Sequence, residues 1–203
     1  MTALFSRQIF PNPSETHWAA AERLAQLARQ AVETKGRCTI ALSGGNTPRY
    51  IFDLLADPAH RFRDSIPWAQ VDFFWGDERY VPPEDPQSNF KLARDHLFAK
   101  VGVPEANIHR FRTELESPEA AAEDYQAQIE AYFKTSPSAP PPRFDVILLG
   151  MGPDGHTASL FPGIPLLHTS GHWVKSFWVP AMRSHRLSLL PDLINEAETI
   201  LVL

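Results

Sequence analysis

The sequence predicts an α/β fold: a single domain with a mostly parallel open sheet and helices on both faces, in a Rossmann-like arrangement. Three observations carry this. Short apolar runs alternate along the chain with longer stretches of helical periodicity. Polar, glycine-bearing loops follow the runs that end at Leu42, Trp75 and Leu149, the place where open α/β sheets hold their ligands. The length of 203 residues suits one domain spanning 1–203.

Taken in order, residues 19–32 place Ala20, Leu24, Leu27, Ala28 and Ala31 on one helical face, with Ser14 as the expected N-cap. Residues 38–42 are apolar and partly β-branched and read as a buried strand. A helix is expected from Pro48 to about Leu55, since proline suits a first turn. Residues 71–75 form a second strand, and 89–98 a helix. Ser117, Pro118 and Glu119 supply a cap, a first-turn proline and a first-turn acid for a helix running to Phe133. The prolines at 137 and 140–142 mark a surface loop inside the domain. Residues 144–149 are the clearest strand, and further strands are expected at 174–179 and 199–203.

Composition narrows the function. Nineteen basic residues against 24 acidic ones give a net charge of -5, which argues against a nucleic-acid partner but leaves room for one local anion site. The single cysteine, Cys38, excludes an intrachain disulfide framework and fits a reducing compartment. No apolar run approaches the roughly 18 residues of a membrane span, and residues 1–7 lack a signal-peptide layout, so the expectation is a cytoplasmic chain.

Three loops carry the chemistry. Ser43-Gly44-Gly45-Asn46-Thr47-Pro48 joins two glycines and two hydroxyls to a helix start, as a phosphate cradle requires, although a plain strand-to-helix turn has the same residues. It lacks the Gly-Lys-Ser/Thr ending of a P-loop. In Gly76-Asp77-Glu78-Arg79 the arginine could grip a phosphate, or pair internally with its neighbours. Gly150, Gly152 and Gly155 satisfy G-x-G-x-x-G, but no acid lies between Asp154 and Asp192, so the ribose partner expected about 20 residues on is missing. What remains is a tight turn presenting Asp154 and His156, a carboxylate beside a potential proton acceptor. His168 and His172 have i, i+4 spacing without an evident third ligand, so no metal is expected. No G-x-S-x-G elbow surrounds Ser43 or Ser159, and serine-nucleophile chemistry is not expected.

Together these loops resemble the 6-phosphogluconolactonase family. The likeness rests on Ser43–Pro48, on Trp75–Arg79, and on the run from Gly150 through Thr157-Ala158-Ser159-Leu160-Phe161-Pro162 to Gly163. Asn89-Phe90 and His185-Arg186-Leu187-Ser188-Leu189 match in place, and the likeness spans about residues 10–203. The resemblance implies the fold of the glucosamine-6-phosphate isomerases and phosphogluconolactonases. It implies hydrolysis of 6-phospho-D-glucono-1,5-lactone to 6-phosphogluconate in the oxidative pentose phosphate pathway, without metal or cofactor. It assigns His156 as the base, with Asp154 beside it. Ser43, Gly44, Gly45, Asn46, Thr47, Asp77, Arg79, Gly152 and Arg186 become substrate or phosphate contacts. Backbone N–H groups between Gly152 and Gly155 become the oxyanion donors.

The related deaminases carry an acid where this chain has Ala158–Gly163, and an aromatic where it has Arg79; both differences favour the lactonase and leave an amino-sugar isomerase as the alternative. A non-catalytic sugar-phosphate binder is a second. Family members usually run on past the strand ending at Leu203 into a glycine turn, a phosphate-binding lysine, a helix and a strand, which implies that this sequence lacks that segment.

Overall fold

The computed structural model describes residues 6–136, 138–164 and 171–203. His168, one half of the histidine pair noted above, and Pro137 lie outside these residues.

Helix α1, Pro13–Lys35, starts two residues earlier than its periodicity suggests, because Asn12 rather than Ser14 is the cap. The Asn12 side chain accepts from the Glu15 N–H, Pro13 sets the first turn, and Gly36 closes the other end at φ 78°. Its Ala21, Leu24, Ala25, Ala28 and Ala31 stripe is buried. Strand β1, Cys38–Leu42, is buried throughout. Helix α2, Asn46–Ala56, begins at Asn46 with Gly45 as its cap, so the Ser43–Gly45 turn runs straight into it. The short helix α3, Arg61–Ser65, leads to β2, Val71–Trp75, which is also wholly buried. Next come β3, Asp77–Arg79, then α4, Asn89–His96, and α5, Pro118–Phe133. The rest of the chain forms β4, Val146–Leu149; β5, Val174–Val179; β6, Ser184–Leu189; α6, Pro191–Asn195; and β7, Thr199–Val202.

Four strands form a parallel sheet in the order β2-β1-β4-β7. Alternation along β2 shows how its faces are covered. Phe73 and Trp75 point to one side, where they meet Phe98, and Trp75 also meets Phe90 of α4. Phe74 points to the other, against Tyr125, Tyr132 and Phe133 of α5. Helices therefore cover both faces, as expected. Burying each of these rings contributes about 1.5–3 kcal/mol. The carboxylate of Asp145, just ahead of β4, accepts from the N–H and hydroxyl of Thr39 at 2.8 and 2.9 Å, which fixes β1 against β4.

Two features were not expected. Residues 77–79 are a strand, not a loop, and they join a second sheet in the antiparallel order β3-β6-β5. Gly76 is the single residue between the sheets: its N–H donates to the Leu42 carbonyl, and its carbonyl accepts from Leu189 N–H, both at 2.8 Å.

Candidate active site

β1 leaves for β2 on one side, while β4 lies on its other side. The crevice between the ends of β1 and β4 is thus a topological switch point, where such sheets bind ligands. The Ser43–Gly45 turn follows β1, and the Gly150–His156 turn follows β4. An added Cβ on Gly76 would lie 3.6 Å from the Leu42 carbonyl oxygen and 3.9 Å from that of Leu148. All three strand ends meet there.

A continuous path of contacts joins the turns. Gly44 lies so close to Asn89 that a Cβ there would fall 1.8 Å from Asn89 Oδ1. Asn89 Nδ2 donates to the Asp77 carbonyl at 2.9 Å. The Asp77 carboxylate accepts from Ser159 Oγ at 2.7 Å, and Ser159 lies three residues after His156. Asp77 is buried, and these bonds make it a tie between the turns.

At the His156 end, Asp154 Oδ1 lies 2.5 Å from Nδ1 of the ring. The hydrogen bond from His156 holds the Asp154 carboxyl below its ordinary range. With Nδ1–H facing the carboxylate, Nε2 is left with the lone pair. Phe161 covers the ring, with centroids 4.1 Å apart. Gly152 lies under the ring: a Cβ would come within 2.1 Å of His156 Cε1, so only glycine seats the imidazole here. The expected oxyanion donors are largely spent within the turn. Gly152 N–H donates to the His156 carbonyl at 2.8 Å, Gly155 N–H to the Gly152 carbonyl at 3.0 Å, and Pro153 has no N–H. A turn this tight satisfies its own backbone, which its sequence did not reveal.

At the other end, Arg79 and Arg186 are directly paired residues of β3 and β6, so their side chains share one face. Arg79 Nη1 donates to the Gln87 carbonyl at 2.7 Å. Arg186 is only 8% exposed, and its recorded side-chain hydrogen bond is a 3.3 Å contact to Ser184 Oγ. No carboxylate forms an ion pair with either arginine among the described residues. Burial, then the neighbouring Arg79 charge, pulls Arg186 below the ordinary guanidinium range. Two like charges held side by side and largely out of water are costly unless an anion joins them. Among the described residues the buried Ser43 hydroxyl has no partner. Gly45, at φ 100°, gives α2 no side-chain cap, and no acid occupies the first turn, so the N–H groups around Asn46 and Thr47 have no carboxylate competitor. Glu78 and Ser159, to which the sequence assigns no site role, hold this frame. Period-2 alternation in Arg186-Leu187-Ser188-Leu189 was the available signal for the strand that carries Arg186.

A sequence model described as "Glucosamine-6-phosphate isomerases/6-phosphogluconolactonase" matches residues 11–203. The chain belongs to this family. It is 45% identical over 138 residues to the 6-phosphogluconolactonase of Synechocystis, covering 68% of this chain and 55% of that protein. It is 40% identical over 185 residues to that of Treponema pallidum, covering 91% and 74%. The crystal structure of 6-phosphogluconolactonase from Leishmania guyanensis superposes with a TM-score of 0.82 at 28% identity, covering 96% of this chain and 79% of that one. The matched segment spans 52–55% of the length of several cyanobacterial and plant relatives. No helix among the described residues is long and apolar enough to cross a membrane.

Proposed function

We propose that this chain hydrolyses 6-phospho-D-glucono-1,5-lactone to 6-phospho-D-gluconate, as a cytoplasmic enzyme of the oxidative pentose phosphate pathway. The reading is supported by the path of contacts that runs from the turn of an oriented imidazole, through Ser159, Asp77 and Asn89, to Gly44 and to the strand carrying Arg79, which with Arg186 has no ion-paired carboxylate among the described residues.

The phosphate would sit between Arg79, Arg186 and the Ser43–Thr47 turn, fixing the lactone ring for attack. Nε2 of His156 takes a proton from water, and the resulting hydroxide adds to the C1 carbonyl. As the C1–ring oxygen bond breaks, the imidazolium returns the proton to that oxygen. Asp154 keeps Nδ1 protonated and steadies the transient positive charge. Gly152 and Phe161 hold the ring in place. Asp77 acts through Ser159 and Asn89, keeping the two ends at a fixed separation.

The lactone is preferred over an amino-sugar phosphate because Ala158–Gly163 contains no carboxylate to assist ring opening. The curated relatives described above carry the lactonase name. A coupled assay separates the two. Lactone disappearance above the spontaneous rate, with no ammonia released from glucosamine 6-phosphate, is the expected result. Ammonia release with no lactone turnover would replace the reading.

A further inference from the structure

We propose that Glu78 is a positioning residue for the phosphate end of this crevice, clamping residues 88–90 so that Arg79 and the Ser43–Thr47 turn address one anion. The inference rests on the sugar-phosphate reading and deepens it with a residue that touches no substrate.

Glu78 is 2% exposed and points away from the Arg79–Arg186 face. Its Oε1 accepts from Arg79 N–H and Asn89 N–H, each at 2.8 Å. Its Oε2 accepts from Phe90 N–H at 2.8 Å and from Ser88 Oγ at 3.2 Å. Four donors thus converge on one carboxylate, three of them from consecutive residues at the start of α4. The clamped segment does two things. The carbonyl of Gln87, directly before it, receives the Arg79 guanidinium. Asn89 lies against Gly44 in the anion turn and bonds the Asp77 carbonyl.

Ser88 caps α4 by accepting from Lys91 N–H, and Glu78 takes the free N–H groups of Asn89 and Phe90, so the acid closes the helix start and at the same time ties it to β3. Electrostatics does not account for it. A carboxylate beside two arginines opposes anion binding, and burial pushes Glu78 up to about 7 against the pull of its donors. What the position supplies is geometry: two acceptor atoms, each serving two donors. Glu78→Gln keeps the shape but turns an NH2 toward donors, leaving buried N–H or O–H groups unpaired.

The test uses inorganic phosphate as the probe, read by calorimetry, alongside lactone kinetics. For Glu78→Gln the expected phosphate Kd rises about tenfold, and KM for the phosphorylated lactone rises in parallel. The expected change in kcat is under about twofold, since His156 lies at the other end. Unchanged or tighter phosphate binding in the folded variant overturns the proposal, as does a loss confined to kcat. Circular dichroism reports whether the variant folds. If it does not, Asn89→Ala decides, since it removes the side chain between Glu78's segment and Gly44. Weaker phosphate binding there supports the clamp, and unchanged binding overturns it. Absence of phosphate binding by the unsubstituted chain also overturns it. Phosphate binding without lactone turnover strikes the lactonase reading alone, and the Kd comparison still decides on Glu78.

Discussion

Replacing His156 with alanine should lower kcat for the phosphorylated lactone by about 10²–10⁴-fold, the usual contribution of a positioned acid–base group. KM should move by less than about threefold, because the phosphate contacts lie at the other end of the crevice. The size of the effect follows from the geometry. The 2.5 Å contact to Asp154 orients the ring, Phe161 covers it, and Gly152 leaves the space that a Cβ would take from it. No other histidine within the described turn can substitute for it. Progress curves at several substrate concentrations, corrected for spontaneous opening, separate kcat from KM. Near-normal turnover would remove His156 from the acid–base role.

Arg186→Met should give the opposite division: KM for the phosphorylated lactone rises by about 10- to 100-fold while kcat changes little. Hydrogen bonds to a charged group are worth about 1.5–3 kcal/mol, which is that range. Hydrolysis of unphosphorylated glucono-1,5-lactone should be nearly unaffected, since it offers no anion to this end. Stability provides a second readout. Arg186 is buried opposite Arg79 with no carboxylate in ion-pair contact among the described residues, and burial and repulsion outweigh the more distant Asp77 and Glu78 charges and weaken its hold on its proton. An apolar side chain of similar volume removes that cost, so the Tm of the ligand-free variant should match or exceed that of the parent. A fall in Tm together with equal losses on both lactones would make Arg186 a structural residue.

The sequence carried the parallel sheet and the two turns because both have local causes. β1, β2 and β4 are short, mostly apolar runs, and α5 begins with the Ser117-Pro118-Glu119 signal. The antiparallel sheet was missed because β3 is three residues of Asp, Glu and Arg, whose strand state comes from pairing with β6 more than 100 residues later. The same distance hid the meaning of Arg186, whose partner is set by register. In the sequence Glu78 is only one of the neighbours with which Arg79 could pair. Only the fold shows that four donors from its own strand and from α4 enclose it. Conversely, the Gly152 and Gly155 N–H groups, oxyanion donors in the family resemblance, are committed within the turn.

One ligand should bridge both ends of the crevice, and a titration of the isotope-labelled chain with 6-phosphogluconate tests this most directly. Following amide and side-chain resonances by NMR, the expected result is that Gly44, Gly45, Arg186 and His156 shift together along one binding isotherm. Shifts confined to one end, or two ends titrating with different Kd values, would contradict a single sugar-phosphate site.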